Sequence, residues 1–372
     1  MLKSYGCVPV FFDQATIKEF LYFHETVLRP LFHNFKGLND FEYDLGRQEL
    51  WQRYVDVNSA IAKCITELKQ DREMVWIHDN YLLLVPSLVR RKDLNANIGF
   101  FLHSPFPSSD IFKMFPYRNQ VLKSLLFCDL IGFHLFEYAR NFYTTCRKLL
   151  GLSHEFKKGG FLGIQCFGRN VMLRISHIGI QVEDIEAAMK TDIYKSFVNQ
   201  LQTHFSQSAS GKRRYIISSI DRFHSISGLK NKFIAYKKFL RDYPHYRTQT
   251  CLVQYVVVSE GQHHLNNEYS QTRLEILQLI KEIEEEFGRG AIHYQEQDLL
   301  MEQRLALWAV TNILLITTLR DGQCLPPLEY ITVKKIMNKQ SKATVILSEF
   351  SGCNRALGGV LKINPFNVDE IT

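Results

Sequence analysis

The feature that most constrains this chain is a repeated alternation: a short β-branched or aromatic run, a polar turn, then an amphipathic stretch. Such alternation predicts α/β architecture with parallel sheets, because consecutive parallel strands need a long crossover and a helix supplies it. Before residue 206, strands are predicted at 74–77, 98–102, 130–133, 161–164 and 171–175, with helices at 16–33, 46–69, 81–90, 118–127, 137–150 and 182–205. Beyond 214, strands are predicted at 215–219, 251–258, 291–294, 313–317, 344–347 and 360–363, with helices at 230–241, 270–287, 302–311 and 327–337. Between the sets lies SQSASGKRR (206–214), small polar residues joined to a charge run, which marks the domain boundary. The expectation is two doubly wound domains, 1–208 and 209–372, with ligands in a cleft at the carboxyl ends of the strands.

At 372 residues and 46% hydrophobic, the chain can bury two such cores. The net charge of +7 is scattered over short clusters (Arg90-Arg91-Lys92, Lys157-Lys158, Lys212-Arg213-Arg214), as on solvated faces. No nucleic-acid partner is expected, and mild basicity suits a phosphorylated small substrate equally well. The eight cysteines form no CxxC pair and mostly lie in apolar segments, as buried thiols of a reducing, cytoplasmic setting would. Neither a disulfide framework nor a zinc site is expected. The longest apolar stretch, LALWAVTNILLITTL (305–319), is shorter than the roughly 20 residues a bilayer crossing needs, and MLKSYGCVPVFF does not read as a signal peptide. No membrane partner is expected.

Four segments carry candidate chemistry. VWIHDNYLL (75–83) sets His78 and Asp79 where a strand gives way to a helix. Asp79 reads either as an N-cap, worth about 0.5–2 kcal/mol, or as a ligand contact. FFLHSPFPSSDIF (100–112) repeats the device with His103, and its serine pair suits a helix cap. ITTLRDGQCLPPLEY (316–330) places Arg320, Asp321 and Gly322 between a strand and a helix whose free N–H groups favour anionic oxygens, with Glu329 inside that helix. A capping aspartate and a solvated glutamate are the plain alternative. SSIDRFHSISGLK (218–230) offers Arg222 as a bidentate phosphate clamp, or as half of a surface ion pair. The glycine-rich SEFSGCNRALGGVLKI (348–363) lacks the Lys-Ser or Lys-Thr of a P-loop.

Together these segments resemble the trehalose-6-phosphate synthases of glycosyltransferase family 20, especially the plant-type group. VWIHDNYLL is similar to VW(V/I)HDYHL, FFLHSPFPSSDIF to FFLHSPFPSSEIY and DLIGFHLFEYARNF to DLIGFHTFDYARHF, while FLGIQCFGRNV, TLRDGQCLPPLEY and LSEFSGCNRALGGVLKINPFNVD continue in the family's order. The resemblance implies two Rossmann-like domains facing a cleft (the GT-B arrangement), with UDP-glucose held mainly by the second and glucose 6-phosphate by the first. It implies retaining glucosyl transfer with UDP-glucose as substrate, and neither cofactor nor metal. Arg222 matches the donor-phosphate arginine. Asp321, with the backbone of Gly322, Gln323, Cys324 and Leu325, matches the loop on glucose and phosphate, and Glu329 the carboxylate on ribose. Asp79 matches an acceptor-sugar contact with His78 its support, and His103 the histidine beside the transferred glucose; His103, Asp321 and Arg222 are the residues expected to carry catalysis.

The departures set a second expectation. RFHSISG replaces RLDYxKG, putting Ser227 at the lysine that joins the arginine on the pyrophosphate. On the acceptor side Phe20 falls on a tyrosine, Arg29 on a tryptophan and Glu260 on an arginine that binds the 6-phosphate. YGCVPVFF enters the family pattern after its first strand and glycine loop, so an incomplete first domain is expected, and no phosphatase segment follows. These departures imply impaired synthase activity or, alternatively, a degenerate regulatory or scaffold module acting with active synthase or phosphatase subunits.

Overall fold

Continuous apolar runs such as Ile98–Leu102 are what strands buried on both faces require, and five of the six residues of the corresponding strand are buried. The computed structural model describes residues 6–34, 48–152, 154–157, 161–166, 168–205, 214–258, 267–339 and 343–372. Two compact units divide the chain, Met1–Ile178 and Gly179–Thr372.

The first unit carries strands β1 (Met74–His78), β2 (Asn97–Leu102), β3 (Leu130–Phe133), β4 (His154–Lys157), β5 (Phe161–Cys166) and β6 (Arg169–Ile175) in the order β1-β2-β3-β6-β5-β4. β1, β2, β3 and β6 pair in parallel, whereas β5 and β4 add antiparallel. The helix predicted over 16–33 opens at Asp13, whose carboxylate accepts from Thr16 N (2.9 Å), but it widens into a π-helical turn over His24–Leu28. Pro30 follows that turn and has no N–H to continue the ordinary ladder.

Strands β7 (Tyr215–Arg222), β8 (Thr250–Val257), β9 (Ile292–Glu296), β10 (Ile313–Ile316), β11 (Thr344–Ser348) and β12 (Leu361–Ile363) form the second sheet, ordered β12-β11-β10-β7-β8-β9. Every pairing in it is parallel. The chain winds outward through β7, β8 and β9, returns to the centre, and winds the other way through β10, β11 and β12. This is the doubly wound Rossmann order, with its switch point between β7 and β10.

Two expectations need correction. The domain boundary falls at 178/179, not 208/209, because the helices Val182–Ala188 and Asp192–Phe205 bury Ile185, Tyr194, Leu201 and Phe205 in one core with Leu305, Leu307 and Trp308. The polar stretch 206–213 itself lies outside the described residues. Arg90 is not solvated: it is buried and donates to Phe127 O, Leu94 O (2.8 Å) and Asp129 Oδ2 (2.9 Å), while Asp129 also accepts from Arg169 and from Ile98 N. Of the other basic clusters, Lys158, Lys212 and Arg213 lie outside the described residues, and Arg214 donates to Thr250 O (2.8 Å) and Gly290 O (2.5 Å). No helix among the described residues is long and apolar enough to cross a membrane.

A buried charge pair lies beneath the switch point. Lys232, fully buried, donates to Asp221 Oδ2 (2.5 Å), Ser219 Oγ (2.7 Å) and Gln254 Oε1 (3.0 Å), using all three of its protons. Asp221 also accepts from Ser219 Oγ and Gln254 Nε2 (both 2.9 Å). Burial holds the lysine's pKa below its ordinary value, partly offset by Asp221. Removing one partner of such a pair strands the other charge in low dielectric. Lys232→Met is therefore expected to cost about 3–5 kcal/mol in urea unfolding, and Asp221→Leu in the same chain to recover most of it. Equal losses in the single and double variants would refute this.

Candidate functional site

In the second unit, the turns that follow β7, β10 and β11 meet at the switch point. Gly228 (φ +71°) lets the β7 turn lie against the β10 turn, where Leu319 N donates to Ile226 O (2.7 Å) and Thr317 Oγ1 to Gly228 O (3.3 Å). Across from it Asp321 N reaches Phe350 O (3.4 Å), and Gly352 packs on the carbonyl of Gly322. Arg222, exposed at the end of β7, is near enough for its charge to act on Asp321.

Burial pushes the Asp321 carboxyl up to about 6, against hydrogen bonds from the backbone of Gln323 and Gly322, the charge of Arg222 and the Cys324 side chain. Cys324 also bonds Cys353: that bond and burial push the Cys324 thiol up, and the same bond holds Cys353 below its ordinary value. Leu325 precedes the helix Pro326–Ile336, whose prolines at the first turn suit positions where an N–H would go unused.

Glu329 is not the solvated glutamate of the plain alternative. Only 7% exposed, it accepts from Arg304 Nε (2.9 Å) and Nη2 (3.0 Å) and from Trp308 Nε1 (3.0 Å). Three of about four acceptor positions are thereby used within the protein. Ser227 is buried, and its hydroxyl donates inward to His224 O (2.6 Å).

In the first unit, His78, His103 and His134 stand at the carboxyl ends of β1, β2 and β3. His78 Nδ1 and His103 Nε2 are 3.0 Å apart, and the rings of His103 and His134 are 5.4 Å apart. Burial lowers the pKa of His103, with Asp79 opposing, and lowers that of His134 to about 4. Nδ1 of His134 has no hydrogen-bond partner among the described residues.

Asp79 does not cap a helix. It adopts φ +64° and its Oδ1 accepts from Ser104 N (3.1 Å) and Ser104 Oγ (3.0 Å), tying the end of β1 to the turn after β2. Nor do the serines cap: Ser108 precedes the helix Ser109–Phe112 without a side-chain capping bond.

Two acceptor-side expectations are modified by packing. Phe20 is 7% exposed, with its ring 5.7 Å from that of Tyr54 and 6.0 Å from that of Tyr81, so it supports Tyr81 from within the core. Arg29 is paired with Glu25 (3.3 Å), which offsets its charge. Glu260 lies outside the described residues.

Sequence reasoning missed His24, Tyr54 and Asn80, which set this region. His24 Nε2 is 2.8 Å from Asn80 Oδ1, and its ring stacks on Tyr81 at 3.7 Å. Tyr54 OH donates to Asn80 O (2.8 Å) and accepts from Leu83 N (3.0 Å). Their contacts span tens of residues, so no local pattern carries them. No group of three or more His, Cys, Asp or Glu among the described residues is arranged to hold a metal ion.

Comparison with known proteins joins these features. The family model described as glycosyltransferase family 20 matches residues 1–372. Among curated relatives, alpha,alpha-trehalose-phosphate synthase [UDP-forming] 6 of Arabidopsis thaliana is 33% identical over 391 residues, covering 100% of this chain and 44% of its own. The Schizosaccharomyces pombe alpha,alpha-trehalose-phosphate synthase [UDP-forming] is 33% identical over 374 residues, covering 98% of this chain and 68% of its own. The chain thus spans less than half of the plant relative. Among solved structures, the N-terminal domain of Candida albicans trehalose-6-phosphate phosphatase superposes with TM-score 0.85 at 28% identity, covering 98% of this chain and 74% of that one. An E. coli structure described as bound with UDP-2-fluoro glucose superposes with TM-score 0.84 at 25% identity, covering 97% and 76%.

The raised pKa of Asp321 has a stability consequence. Below 3.8 the carboxyl is neutral whether the chain is folded or unfolded; as pH rises through about 6 the folded group must ionise where it is poorly solvated, so its contribution to stability is lost. Asp321→Asn is expected to leave the melting temperature unchanged near pH 4 and to raise it at pH 8, by at most about 3 kcal/mol in stability. A difference independent of pH would contradict the assignment.

Proposed function

The chain belongs to glycosyltransferase family 20, and on that premise we propose that its second unit binds UDP-glucose at the switch point while retaining glucosyl transfer to glucose 6-phosphate is impaired. The observation that carries this is the β7 turn: Arg222 is exposed beside Asp321, whereas Ser227, at the lysine position, is buried and bonded inward. As the glycosidic bond breaks, UDP gathers negative charge, and cations near the pyrophosphate act most strongly in that state. Losing one lowers the rate more than it lowers ground-state affinity.

In this reading Arg222 meets the pyrophosphate, Asp321 and the N–H groups of the 322–325 turn meet glucose and phosphate, and the remaining acceptor position of Glu329 meets the ribose. Asp79 and His103, both in the first unit, are that unit's own sugar contacts. Arg29, offset by Glu25, and Phe20, held in the core, make a poor receptor for a phosphate dianion. The likeness to the structure described as bound with UDP-2-fluoro glucose supports the donor assignment.

The second reading, a regulatory or scaffold module of the trehalose pathway acting with synthase or phosphatase subunits, is favoured by the same departures. It is supported by the occurrence of this fold in the N-terminal domain of a protein named as a phosphatase.

Calorimetry with UDP and UDP-glucose, and UDP release in the presence of glucose 6-phosphate, test the proposal. Binding with slow transfer is expected; no binding at millimolar ligand would overturn it, and binding with no transfer would select the second reading. Ser227→Lys is expected to tighten UDP about tenfold, the effect of one charge-assisted contact. Arg222→Ala is expected to weaken UDP by a similar factor, and unchanged affinity in both variants would place the pyrophosphate elsewhere.

A further inference from the structure

We propose that Cys324 and Cys353 are a thiol pair that peroxide converts to a reversible intramolecular disulfide, and that this bond turns off donor binding at the switch point. The consequence for binding rests on the functional reading above; the thiol chemistry does not.

The geometry sets these two cysteines apart from the other six. Cys324 lies in the turn after β10 and Cys353 in the turn after β11, and their side chains are hydrogen-bonded to each other. The two backbones are already in contact at this point, since a Cβ on Gly352 would lie 2.1 Å from Gly322 O. Ser351 Oγ lies 3.3 Å from Cys353 Sγ, so the Cys353 sulfur has two hydrogen-bonding neighbours able to stabilise a thiolate. Cys324 is 8% exposed and Cys353 is buried, so the oxidant must be small.

The step balances with hydrogen peroxide as oxidant. The Cys353 thiolate attacks one peroxide oxygen, giving a sulfenic acid and hydroxide. The Cys324 sulfur then attacks the sulfenic sulfur and expels water, its proton leaving with the hydroxyl, and the S–S bond remains. A dithiol reductant reverses the change by thiol–disulfide exchange.

The link to binding runs through Asp321. The single Cys324 S–H is shared between this carboxylate and the Cys353 sulfur, and in a disulfide there is no proton to donate to either. Oxidation therefore removes one of the groups that orient Asp321 and tethers the turn that carries it to the turn after β11. In a reducing cytoplasm the pair would stay open, and donor binding would fall when peroxide rises.

The full chain, reduced and then exposed to hydrogen peroxide, is alkylated, digested and mapped by mass spectrometry, with UDP-glucose affinity measured by calorimetry before oxidation, after it, and after dithiothreitol. The expected result is a Cys324–Cys353 cross-linked peptide about 2 Da lighter than the two thiol peptides together. Affinity is expected to fall at least fivefold, to recover with dithiothreitol, and to be insensitive to peroxide in Cys353→Ser, which separates the effect from oxidation at the exposed Cys7. Absence of that cross-link, or a cross-link that leaves affinity within twofold, overturns the inference. A reduced chain that binds no UDP-glucose overturns the functional reading and with it the effect on binding, whereas binding without the mapped cross-link overturns the thiol chemistry alone.

Discussion

No methyl group fits between the turn after β7 and the turn after β10. A Cβ on Gly228 would lie 2.0 Å from Thr317 O, and Gly228 also needs φ +71°, which side chains resist. The second glycine contact, Gly352 on Gly322, closes the other side of the β10 turn. Asp321 is therefore held between two backbone-on-backbone contacts, with hydrogen bonds from Gly322 and Gln323 fixing its carboxylate. Groups fixed in advance need not reorganise when charge develops beside them, which is where a site of this type gains most. The doubly wound strand order brings the three turns together, and the glycines let them touch.

The first unit builds a different electrostatic surface from the same device. Parallel register sets His78, His103 and His134 in a row at neighbouring strand ends. Burial keeps His103 and His134 predominantly neutral near pH 7, where an imidazole can donate through one nitrogen and accept through the other. Arg29 is offset by Glu25, and Asp79 spends Oδ1 on both Ser104 donors. Such a surface matches sugar hydroxyls better than a phosphate dianion.

Strands such as β2 and β8 were legible because strands buried on both faces are written largely as apolar runs, whereas the edge strand β4, HEFK, has no such run and was not predicted. What the sequence hid was long-range or a matter of burial. Asp79 has the local setting of an N-cap, and only Ser104, on another strand's turn, shows that the carboxylate is used otherwise. Glu329 and Arg304 sit on different helices, so their bidentate pair has no local signature. Lys232 and Arg90 look like solvated residues of charged helices, yet buried acceptors capture both. The domain boundary was misplaced for a related reason: a polar linker marks where the chain is solvated, whereas a fold boundary is set by which core a helix packs against. The candidate site was legible through the family motifs rather than through spacing, which left cap and ligand readings open.

Matching a family motif does not by itself argue for chemistry, because several of these residues also hold the fold together. Asp79 joins β1 to the turn after β2, Glu329 clamps two helices, and Gly228 makes close packing possible. Each would be kept by selection for stability even in a chain that transfers nothing. Arg222 is different: its side chain is exposed at the end of β7, and stability gives little reason for a guanidinium there. An exposed cation beside a half-buried carboxylate, at the switch point of a doubly wound sheet, is best accounted for by an anionic ligand. A lysine at position 227 would set a second cation in this turn, whereas the serine bonds inward to His224 O. On the proposed reading Arg222 meets the donor's phosphates, and position 227 offers no second cation beside it.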